Sequence, residues 1–127
     1  MNEEDLICII CPTSCTLRVC KELSGSLRVE GALCPKGVEY AIREVNDPRR
    51  VVISVVKVVG GDLPTVSVKT SKPVPKKCIP EIMKATASIE LKAPVEIGQV
   101  VIRDICGVDV IATRRVKKVN SIYLFKL

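Results

Sequence analysis

"VVISVVKVVGGDLPTVSVKT", residues 51–70, carries the strongest secondary-structure signal in the chain. Its first nine residues are mostly β-branched, which crowds a helix but packs well on a pleated sheet. Gly60-Gly61-Asp62 turns the chain, and "TVSVKT" (65–70) then alternates apolar and polar residues with a period of two. The stretch therefore reads as strand, turn, strand. The near-continuous run 51–59 is expected to be buried on both faces, and its partner to be half-exposed.

Downstream, "SKPVPKK" (71–77) reads as an extended, proline-restricted linker. Pro80 suits the first turn of a short helix running to Ala87, with Ile79, Ile82, Met83 and Ala87 toward a core. Residues 89–116 return to β structure, with "QVVIRD" (99–104) pairing with "VDVIAT" (108–113) across Ile105-Cys106-Gly107. The apolar end "SIYLFKL" (121–127) is expected to dock as an edge strand or interface segment.

Upstream, Asp47-Pro48-Arg49-Arg50 marks a boundary. "TLRV" (16–19) and "SLRVEG" (26–31) flank a Ser24-Gly25-Ser26 turn and predict a small hairpin. "PKGVEYAIREVNDP" (35–48) has helical spacing, with Val38, Ala41, Ile42 and Val45 on one face and Pro48 ending it. The fold class is α+β. A cysteine-rich module that binds a metal or iron–sulfur cluster, residues 1–48, precedes a mainly β domain with one or two short helices, residues 49–127.

The composition fits that size and class. The chain has 127 residues, 47% of them apolar and 2% aromatic, so its core is aliphatic. No uncharged apolar run reaches the about 18 residues of a membrane-spanning helix. "MNEEDLICII" (1–10) is acidic and lacks the basic start and cleavage site of a secretory signal, which predicts a cytoplasmic protein. Of the net charge of +6, the whole excess lies beyond residue 50, in stretches such as "VKTSKPVPKK" (68–77) and "RRVKK" (114–118). With only Tyr40, Tyr123 and Phe125 to stack on bases, this charge reads as a solvated surface or a steering field for an acidic partner, not a nucleic-acid groove.

Seven cysteines in a chain expected to stay in a reducing compartment point to metal or redox chemistry. "CIICPTSC" (8–15) and "CPKG" (34–37) give the spacing Cys8-x2-Cys11-x3-Cys15-x18-Cys34. Structural zinc sites favour two C-x2-C-like pairs, and the second pair is missing here. A [4Fe–4S] cluster accepts three thiolates from one tight loop and one from a distance, with proline after the last ligand, as Pro35 follows Cys34. The spacing favours the cluster and leaves zinc as the alternative. A thiol–disulfide role for Cys8 and Cys11 lacks a βαβ context and leaves Cys15 and Cys34 unexplained. Cys78 and Cys106 read as small buried hydrophobes, and Cys20 as a possible substitute ligand.

Residues 8–37 resemble the N-terminal [4Fe–4S] segment of molybdopterin oxidoreductases, matching it in order at Cys8, Cys11, Cys15, Gly25, Val29, Gly31, Cys34, Lys36 and Gly37. In those enzymes the lysine after the last cysteine lies between cluster and pterin and assists electron transfer, which implies that role for Lys36. Those enzymes continue for hundreds of residues, unlike this chain. Over its whole length it is similar to the DUF1667-type family, through its N-terminal cysteines and "DPRRV" (47–51), "GGDLP" (60–64), "SVKTSKPVPK" (67–76), "KAPVEIG" (92–98) and "GVDVIATR" (107–114). Members of that family are often encoded beside FAD-dependent dehydrogenases of the glycerol-3-phosphate type. The resemblance implies an accessory redox protein serving a flavoenzyme, with residues 49–127 as the docking platform. A zinc-stabilised interaction module with no redox role is the rival.

Independent catalysis is not indicated. There is no histidine for general-base work, no G-x-G-x-x-G and no phosphate-cradling G-x-x-x-x-G-K-[ST].

Overall fold

The computed structural model describes residues 3–119, which fold as an α+β chain with ten strands and two α-helices. The strands and helices fall into two compact units, Met1–Pro48 and Arg49–Leu127. Among the described residues no helix is long and apolar enough to cross a membrane.

In the first unit, β2 (Thr16–Lys21) and β3 (Leu27–Glu30) form the hairpin that the Ser24-Gly25-Ser26 turn predicts, with Val19 opposite Val29. Sequence patterning did not anticipate β1 (Glu3–Ile7), which pairs antiparallel with β2 and completes a three-stranded sheet. Leu17 and Val19 project from one face of β2 into a core shared with Cys8 and Ala41. Helix α1 (Pro35–Asn46) closes over that core. The expected helix face is rotated: Gly37 and Ala41 are buried and Tyr40 and Val45 pack beside them, while Ile42 is exposed. Gly37 brings the helix close enough to the sheet that an added Cβ would sit 3.8 Å from both Cys8 Sγ and Leu17 Cδ2.

In the second unit, β5 (Ile53–Val59) and β6 (Thr65–Thr70) are the antiparallel pair predicted from residues 51–70. They lie inside a five-stranded sheet ordered β8-β5-β6-β10-β9, where β8 is Glu90–Lys92, β9 Val100–Ile105 and β10 Val108–Ala112. β9 and β10 form the hairpin expected across Ile105-Cys106-Gly107, and β8 runs parallel to β5. β5 is not buried on both faces: Val56 and Val58 are buried, while Ile53, Val55 and Val59 are exposed. The buried face lies on the side of α2 (Ile79–Ser88), which contributes Ile82 to the core.

The expected linker 71–77 is more structured than its prolines suggest. Val74–Pro75 is a short strand, β7, paired with β4 (Arg49–Arg50), and Val74 is fully buried. Pro75 has no N–H to donate, so it is tolerated in a two-residue ladder. A 3-10 turn, Lys76–Cys78, leads directly into α2. There Ile82 faces the core as expected, but Met83 is exposed, and Thr86 is buried in place of Ala87. Thr86 is accommodated because its hydroxyl bonds to Ser54 Oγ at 2.9 Å and donates to the Met83 carbonyl at 3.0 Å. The segment 121–127 lies outside the described residues.

Candidate metal centre

The loop that carries Cys8, Cys11 and Cys15 joins two paired strands, and its ends are clamped. The Cys8 N–H donates to the Cys15 carbonyl at 2.8 Å, which extends the β1–β2 ladder by one step. Within the loop Ser14 takes a left-handed φ of 52° and donates its N–H to the Cys11 carbonyl, so the chain doubles back between the second and third cysteine. Cys8 is buried, Cys15 half-buried and Cys11 exposed. Pro12 is followed by Thr13, whose hydroxyl and backbone hydrogen bonds to Cys11 hold that thiol below its ordinary range, with the Lys36 charge adding to the effect.

Cys34 is the N-cap of α1, with Pro35 in the first turn. Its side chain makes no capping bond, so its thiol is not committed to closing the helix. Cys34 thus stands at the end of α1 that carries the partial positive charge of the helix dipole. Gly37, which donates to the Cys34 carbonyl at 3.1 Å, packs beside Cys8 Sγ, and Lys36 acts electrostatically on Cys11. The N-terminus of α1 and the cysteine loop are thus neighbours. An open depression of about 570 Å³ adjoins them, lined by Ala32, Leu33, Cys34, Pro35, Val38 and Glu39.

Thiolates at these four positions suit soft or borderline metals. Among the described residues no three of the four sulfurs lie within 4.8 Å of one another. A tetrahedral zinc thiolate site sets its sulfurs about 3.8 Å apart.

The other three cysteines divide. Cys20 is buried on β2 and faces away from Leu17 and Val19, five residues and roughly 17 Å of strand beyond Cys15. It is not placed to stand in for a loop cysteine. Cys78 and Cys106 are only half-buried, and with Glu81 they bring three ligand atoms within 4.8 Å of one another. The Cys106 thiol donates to Glu81 Oε2 at 3.2 Å. Its hydrogen bond with Cys78, then desolvation, then Glu81, push its pKa up to about 12. No local spacing in the sequence links residues 78 and 106; the C-x2-E step from Cys78 to Glu81 at the start of a helix was the available signal.

A family profile described as a protein of unknown function, DUF1667, matches residues 35–114. The match begins immediately after Cys34, so the four-cysteine set lies outside it. The NMR structure of the Clostridium perfringens protein CPE0013 is similar to this chain at a TM-score of 0.52 and 29% identity, covering 57% of this chain and 88% of that one. No curated protein matches the chain.

Proposed function

This chain belongs to the DUF1667 family, and on that footing we propose that it is an iron–sulfur accessory protein that exchanges electrons with a flavin-dependent dehydrogenase. The observation that carries the reading is the placement of Cys8, Cys11 and Cys15 in one clamped loop beside the helix terminus that Cys34 caps. When bound, a [4Fe–4S] cluster supplies a one-electron store.

The protein's own residues would do the rest. Cys8, Cys11, Cys15 and Cys34 would act as thiolate ligands, with the Thr13 bonds and the Lys36 charge favouring the thiolate at Cys11. Lys36 would place a positive charge beside the site and make its reduced state easier to reach. Ile9 and Leu33 are 71% and 80% exposed, and together with Ile10 they give the loop an apolar rim suited to contact with a partner protein. The lysine excess beyond residue 50 would steer an acidic partner at low salt. The glycerol-3-phosphate type of flavoenzyme is the partner that the family resemblance suggests.

The test is electron transfer under anaerobic conditions. A flavoenzyme of that type, reduced by its own substrate, is expected to bleach the visible absorbance of the full chain, and Lys36→Ala to slow that step without loss of iron. Colourless protein that is unchanged by the reduced flavoenzyme, and whose bound zinc falls in Cys11→Ser, would leave the interaction-module reading in its place.

A further inference from the structure

The second unit carries three metal-type donors that no part of the proposed electron-transfer role uses. We propose that Cys78, Glu81 and Cys106 form a separate binding site for a borderline-soft divalent cation of the zinc class.

Two elements of the fold build this site. Cys78 ends the 3-10 turn before α2, and Glu81 lies in the first turn of α2. Residues three apart on a helix share a face, so the thiol and the carboxylate point the same way. Cys106 comes from the β9–β10 turn, where its φ of 50° and that of Asp104 at 52° fold the chain sharply back. That turn delivers the second thiol across a sequence gap of 25 residues to within 3.2 Å of Glu81 Oε2.

The distances fit a small tetrahedral ion. Across zinc, a thiolate sulfur and a carboxylate oxygen are expected about 3.5 Å apart, and two thiolates about 3.8 Å. All three donors already lie within 4.8 Å of one another, so closing on an ion needs no rearrangement of the backbone. The supports are rigid: Ile82 follows Glu81 and is 1% exposed, while Ile105 precedes Cys106 and is 9% exposed, both in the core of this unit.

The donor chemistry selects the metal. Two sulfurs and one oxygen exclude the all-oxygen preference of Mg2+ and Ca2+ and match Zn2+ and its neighbours in softness. Three protein ligands leave a fourth position open, and the half-exposed cysteines and exposed glutamate let water reach it. The site is thus of the open kind, which binds water or an exchangeable ligand, and it does not depend on what the first unit binds.

Zinc alone is the probe, added to the full-length reduced chain and followed by equilibrium dialysis with metal analysis. Wild type, Cys78→Ala, Cys106→Ser and Glu81→Gln share the same first-unit cysteines, so binding there cancels in the comparison. Wild type should take up one zinc per chain more than Cys78→Ala or Cys106→Ser. Glu81→Gln keeps both thiols and should hold that extra zinc at least about tenfold more weakly. Circular dichroism identifies any variant that fails to fold, and the Glu81→Gln comparison then decides. Equal zinc uptake and equal affinity in wild type and Glu81→Gln would overturn the proposal. So would a Cys78–Cys106 disulfide that forms on mild oxidation while zinc uptake by the reduced wild type and Cys106→Ser is the same.

Discussion

Gly31 and Gly25 have nearly the same backbone, with φ of +91° and +87°, but opposite surroundings. A Cβ at Gly31 would overlap the Thr16 carbonyl oxygen, whereas nothing lies within 4 Å of one at Gly25. Gly25→Ala should therefore cost only the left-handed backbone term, about 1–2 kcal/mol, and Gly31→Ala clearly more. Denaturant midpoints of the two variants check this, and equal losses would contradict the close approach of the chain at Gly31 to the start of β2. In the metal-free, reduced chain the reactivity of Cys11 depends on pH. Because the Cys11 pKa is lowered, alkylation of this exposed thiol should set in at a lower pH than for an ordinary cysteine. Thr13→Ala should move that onset up further than Lys36→Ala, since the Thr13 bonds are the larger cause. The reverse order in pH-dependent iodoacetamide labelling would refute the assignment. The sequence placed these cysteines and Lys36 in one motif but could not disclose the Thr13 bonds, which depend on how the loop doubles back at Ser14.

The strands show where pattern reading succeeds and where composition misleads it. "TVSVKT" alternates and becomes β6 as written, and Ser24-Gly25-Ser26 and Cys106-Gly107 turn where expected. β5 misleads because Ile53, Val55 and Val59 keep its outward face apolar, so its run mimics a strand covered on both sides. Truncation separates the faces: Val56→Ala should cost about 1.5–3 kcal/mol, and Val55→Ala no more than about 0.5 kcal/mol. Equal losses in thermal unfolding would argue against a one-sided β5. The helices were legible in extent more than in orientation. α1 turns Gly37 inward, where an added Cβ would press on the Ala32 Cβ at 3.3 Å, and Ile42 lies out in solvent. In α2, Thr86 is buried because Ser54 supplies a partner from β5, a pairing across 32 residues that periodicity cannot reveal. Thr86→Val should cost about 1–2 kcal/mol by leaving the Ser54 hydroxyl without that bond. Denaturant unfolding measures it, and a neutral result would count against the hydrogen bond.

The two compact units each have their own core, one around Leu17, Val19 and Ala41 and the other around Val56, Val66 and Ile82. The second core is aliphatic and draws on every strand of the five-stranded sheet except the three-residue β8, whose Leu91 packs at its margin. The four-cysteine set was readable because three of its members lie within eight residues and the fourth opens a helix. The Cys78, Glu81 and Cys106 group was not, because it exists only once the β9–β10 turn meets the start of α2. On the proposed reading the first group holds an iron–sulfur cluster, and metal and sulfide analysis decides it. Full-length protein purified without oxygen is analysed for iron, acid-labile sulfide and zinc, alongside Cys11→Ser and Cys34→Ser. The expected result is brown protein with about four iron and four sulfide per chain, most of it lost in either variant. Colourless wild-type protein without sulfide, with zinc that falls in the same two variants, would contradict it.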